Sequence, residues 1–61
     1  MLIKLPVHQD EGTEHWYLNP DSVAYIKPSG DIRTQVLLIS GDWLWVDLPC
    51  PQVADMVKGS G

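Results

Sequence analysis

A single cysteine, Cys50, stands in this chain of 61 residues. No disulfide can form within the chain, and a four-cysteine zinc site is excluded. A lone thiol fits a reducing cytoplasm better than the disulfide-dense frameworks of small secreted domains. Positive charge is also scarce. Lys4, Lys27, Arg33 and Lys58 are the only strong cations, and the net charge is −4. Four scattered cations cannot form the basic stripe that neutralises phosphates, so neither a nucleic acid nor an anionic membrane surface is an expected partner. Long apolar runs are missing too, and none approaches the length of a membrane span. Met1 to Val7 carries one lysine and is interrupted by Pro6, which does not match a signal peptide. No nucleophile elbow and no Gly-rich phosphate loop occurs, so no enzymatic activity and no cofactor are expected.

What is present is a pair of apolar runs, Val36-Leu37-Leu38-Ile39 and Trp43-Leu44-Trp45-Val46, separated only by Ser40-Gly41-Asp42. A strand covering one core alternates apolar with polar residues, because successive side chains point to opposite faces. These runs are apolar on both faces. A chain this short buries only about 60% of its unfolded surface and has marginal stability. With no internal disulfide and no four-cysteine zinc site to help, oligomerisation is the expected support, a dimer by default with a ring as the alternative.

The remaining sequence divides at turn residues. Leu2 to Val7 reads as a strand with Ile3, Leu5 and Val7 on one face, and His8 to Thr13 as a polar, acidic, mobile loop. Glu14 to Leu18 is a second strand, with Trp16 and Leu18 on the face opposite His15 and Tyr17. Asn19-Pro20-Asp21-Ser22 is a turn, Val23 to Lys27 a third strand, and Pro28-Ser29-Gly30-Asp31 another turn. Arg33 to Ile39 and Trp43 to Leu48 then form a hairpin around Ser40-Gly41-Asp42. Finally the period changes: Val53, Met56 and Val57 make one stripe of a helix, with Pro51 in its first turn and Gly59 as its stop. The expected fold is therefore mainly β, a small five-stranded antiparallel meander with one short C-terminal α-helix. Residues 1–58 form a single domain and 59–61 a flexible tail.

Several strings resemble the FlbD family of small flagellar and swarming-motility proteins. They are Ile3-Lys4-Leu5, Gly12, Trp16-Tyr17-Leu18-Asn19-Pro20-Asp21, Val23-Ala24-Tyr25-Ile26, Val36-Leu37-Leu38, Gly41, Val46 and Val53. The likeness spans nearly the whole chain, and its most characteristic part is the Asn-Pro-Asp turn before a Val-x-x-Ile strand. Trp43, Trp45 and Pro49-Cys50-Pro51 depart from the pattern. The resemblance implies a motility-associated role and brings no catalytic residues.

The candidate sites follow from the aromatics. Trp16 is expected in the core. Leu44 and Val46 are expected to face inward, which turns Trp43 and Trp45 outward as a subunit interface, a ligand platform, or packing under the helix. Leu37, Ile39, Trp43 and Trp45 are the expected interface. A second possibility is a nucleotide-like ligand held between subunits, with Tyr25, Trp43 and Trp45 offering flat faces and Arg33 and Lys27 meeting its phosphates. His8 and His15 lie near Asp10, Glu11 and Glu14, but the spacing matches no metal signature and a solvated acidic loop accounts for it. The sequence reading is thus a non-enzymatic, cytoplasmic, bacterial or phage module that binds itself and either a protein partner or a small nucleotide-like ligand.

Overall fold

The structure, a computed structural model, describes residues 1–59. β1 (Ile3–Gln9) and β2 (Gly12–Leu18) form a hairpin, and a single 3-10 turn (Pro20–Ser22) leads into β3 (Val23–Ser29). β4 (Arg33–Leu38) and β5 (Trp43–Val46) follow, and α1 (Cys50–Gly59) closes the described chain. All five strands join one antiparallel sheet in the order β2-β1-β5-β4-β3. Sequential strands are neighbours everywhere except between β2 and β3. There the sheet is open, and β1 instead pairs with β5 through Val7 opposite Val46.

The alternation in the sequence sets the two faces. Ile3, Leu5 and Val7 of β1, Val36 of β4 and Leu44 and Val46 of β5 are buried on the inner face, together with Val53 of α1. Leu38, Leu48, Met56 and Val57 pack around them. The one buried polar side chain there, Thr34, donates its hydroxyl to Leu48 O at 2.8 Å. That bond satisfies the hydroxyl and ties β4 to the chain entering the helix. A helix of fewer than three turns is marginal alone, so burial of Val53 against the sheet is what holds it.

Several expected boundaries shift. The loop read over His8 to Thr13 is mostly strand: Gln9 pairs with Gly12, and only Asp10 and Glu11 turn. Polar side chains are no obstacle there, since the hairpin tip lies beyond the core and its backbone ladder supplies the pairing. Pro28 and Ser29, read as turn, continue β3, an edge strand where proline's missing N–H costs little. The turn itself rests on Gly30, whose φ of +74° is a left-handed conformation natural to glycine. β4 stops at Leu38 and β5 at Val46, short of Ile39 and Leu48. Gly59 is the last residue of α1 rather than the first of a tail, and residues 60–61 of that expected tail lie outside the described residues.

Trp16 is the other correction. It is 37% exposed, not core, and its indole N–H donates to Glu14 Oε1 at 2.9 Å. The reason is where the helix lands. α1 packs on β3 and β4, leaving the β2 end of the inner face uncovered.

Candidate functional site

Among the described residues no helix lies over the outer face of the sheet, and strand alternation decides what it displays. With Leu44 and Val46 turned inward, Trp43 and Trp45 point outward, each 41% exposed. Val36 is inward, so Gln35 and Leu37 are outward, and the register sets Gln35 opposite Trp45 and Leu37 opposite Trp43. On β3, Tyr25 stands opposite Leu37 and Lys27 opposite Gln35. A bulge between Val23 and Tyr25 inserts Ala24 and sets this register. The bulge re-aims Tyr25 against the neighbouring indole.

These side chains touch. Tyr25 meets Trp43 edge to face, with ring centroids 5.7 Å apart and planes at 78°. That is a favoured aromatic arrangement, because a positive ring edge approaches a negative ring face. Lys27 Nζ lies 5.4 Å from the centroid of Trp43, within cation–π range. Tyr25, Lys27 and Trp43 therefore form one ordered cluster, with Leu37 opposite Tyr25 and Trp43 in the register and Trp45 on the same face. Ile39, the remaining expected interface residue, lies just past β4, where its N–H donates to Ser22 O at 2.8 Å. It is 70% exposed, and its place is beside the 3-10 turn rather than in the strand carrying Leu37.

Arg33 occupies the other end of this face. It lies four positions before Leu37, about 13 Å along a strand rising ~3.3 Å per residue. Its Nε donates to Asp47 Oδ1 at 2.9 Å. Asp47 is the hub of a polar group that includes Thr13, whose hydroxyl donates to Oδ2 at 2.9 Å, and His8, whose Nδ1 lies 3.4 Å from the same oxygen. Partial burial raises the Asp47 pKa, but hydrogen bonds from Thr13, Arg33 and His8 and the charge of His8 outweigh it. The carboxyl is held below its ordinary value. Thr13 and His8 thus share Asp47 Oδ2, while Arg33 holds Oδ1.

The five residues expected around a ligand thus share one face in two groups. Tyr25, Lys27 and Trp43 form one and Arg33 with Asp47 the other, with Trp45 lying on the strand between them. The Asp47 hub was not anticipated. Alternation alone places Asp47 on the face of Trp43 and Trp45, but its meeting with His8 and Thr13 depends on β1 pairing with β5. Among the described residues, no three His, Cys, Asp or Glu side chains gather as they would around a metal ion. No helix among them is long and apolar enough to cross a membrane. The chain matches no family model, no curated protein and no solved structure.

Proposed function

We propose that this chain is a non-enzymatic, oligomeric interaction module, cytoplasmic and of bacterial or phage origin, acting by protein–protein contact through the outer face of its sheet. The observation that carries the reading is the contact of Tyr25 with Trp43, with Leu37 and Trp45 on the same face, which no helix among the described residues covers in so small a domain. Tryptophan, tyrosine and arginine dominate the energetics of protein interfaces, because they bury large areas with few rotatable bonds. The edge-to-face contact and the Lys27 cation fix Trp43 before any partner arrives, which lowers the entropy lost on association. The FlbD-like strings Trp16–Asp21 and Val23–Ile26 point to a partner in flagellar or swarming machinery.

Sedimentation of the wild type and Trp45→Ser tests the contact. The indole is outward, so its loss should weaken association more than folding. A wild type sedimenting as a 6.8 kDa monomer at tens of micromolar, on the order of a weak interface's dissociation constant, would refute it.

A second reading is favoured by one observation: Tyr25, Lys27, Arg33, Trp43 and Trp45 all belong to the same face. In that reading the oligomer holds a nucleotide-like molecule between subunits, with its base on the indoles. A phosphate at Arg33 would share the guanidinium with Asp47, which weakens that site. Thermal shift with cyclic and linear nucleotides is the test. A ligand at 100 times its dissociation constant adds about 2.7 kcal/mol, and a shift unchanged by Arg33→Ala would remove Arg33 from the site.

A further inference from the structure

We infer that the free edge of β2 is a second, separate interface, which pairs antiparallel with β2 of another copy of this chain to continue the sheet across two subunits. The two edges of the sheet are not alike. β3 carries the devices that discourage strand addition: a bulge at Ala24, Lys27, and Pro28 in the strand itself. β2 has none of these. It pairs with β1 in unbroken register over its whole length, from Gly12 to Leu18, and among the described residues no strand lies on its other side. It holds no proline and no lysine, and α1, packed on β3 and β4, does not cover it.

Pro6 shows which backbone groups face that edge. Asp47 N donates to Pro6 O at 2.8 Å, so the peptide groups of Pro6 point toward β5. His15 is the β1–β2 partner of Pro6. Opposed antiparallel residues bond each other or both point away, so His15 turns its N–H and C=O outward to the open edge. Thr13 and Tyr17, two positions either side, do the same.

A second copy of β2 satisfies this pattern in one register. When His15 stands opposite the partner copy's equivalent position, Thr13 and Tyr17 oppose each other. Every outward N–H and C=O of these residues then finds a partner in a two-fold arrangement. The same register sets Glu14 opposite Trp16. Within one chain that indole N–H already donates to Glu14, so the pair is complementary across the interface as well. Trp16 and Tyr17, 37% and 64% exposed, would lose solvent contact on opposite faces of the joined sheet.

His15→Pro is the discriminating change, since it removes an outward donor and none that reaches β1. Combined with Trp45→Ser it separates the two interfaces. At roughly 100 µM, a range suited to weak association, Trp45→Ser should sediment as a dimer. Trp45→Ser/His15→Pro should sediment as a monomer with an unchanged far-ultraviolet spectrum. A monomeric Trp45→Ser protein, or a double variant that folds and still dimerises, overturns the assignment. Should the proline variant fail to fold, amide exchange in Trp45→Ser decides. Thr13, His15 and Tyr17 should gain protection with rising protein concentration, and concentration-independent exchange at all of them overturns it.

Discussion

Val53→Ala tests the most consequential tertiary contact in the chain. Val53 is fully buried and is the only buried residue of α1, so it fastens the helix to the sheet. The substitution deletes two carbons from the core, a transfer loss of ~1.6 kcal/mol at about 0.8 per methylene. The cavity left behind adds roughly 1 kcal/mol, and the better helix propensity of alanine returns about 0.5 kcal/mol. The net cost is ~2 kcal/mol, against a total stability of roughly 3–9 kcal/mol for a domain of this size. Thermal unfolding followed by circular dichroism should then show a midpoint lower by about 8–16 °C, at ~4–8 °C per kcal/mol. Gln52→Ala, one residue away and exposed, is the control and should change stability by less than about 0.5 kcal/mol. If Val53→Ala behaves like that control, the helix is not held through Val53, and the reasoning that places the core between helix and sheet is wrong.

The Asp47 hub predicts an acid-dependent difference. The folded carboxyl titrates below its ordinary value of 3.8. Its contribution is therefore complete above the unfolded pKa and is lost as pH falls through the folded one. Urea midpoints of wild type and Asp47→Asn should differ by about 0.5–1 kcal/mol at neutral pH, a modest figure because Arg33 is partly exposed. The two should converge once the pH has fallen through the folded carboxyl's lowered pKa, and a difference constant with pH would exclude the ion pair as its source. Thr34→Val keeps the volume but strands Leu48 O; it should cost about 1–2 kcal/mol in the same urea assay. An unchanged midpoint would show that the bond from β4 to the helix entry contributes nothing.

Much of this molecule is decided by local pattern. Alternation in Ile3–Val7 names the buried residues, and in the doubly apolar run Trp43–Val46 the period divides the side chains into an aliphatic and an aromatic set, because side-chain direction along a strand follows from backbone geometry alone. The Val53 stripe gives the helix for the same reason at a different period, and Gly30 and Gly41, both with positive φ, mark turns that other residues resist. The outward indoles were legible on that basis. The Asp47 hub was not. His8 and Asp47 are far apart in sequence, and their approach requires β1 to lie beside β5 instead of β2 beside β3. Strand order is set by which closed chain buries the most apolar surface, a property of the whole chain that no window of residues contains. Trp16 makes the same point. Its spacing matches a core residue, and only the landing of α1 on β3 and β4 leaves it half in water. Residue type and period set the five strands, the helix and which way their side chains turn, though not where the His8–Thr13 hairpin and the end of β3 lie. The tertiary structure alone decided which segments are neighbours, and so which polar groups meet and which strand edge remains open.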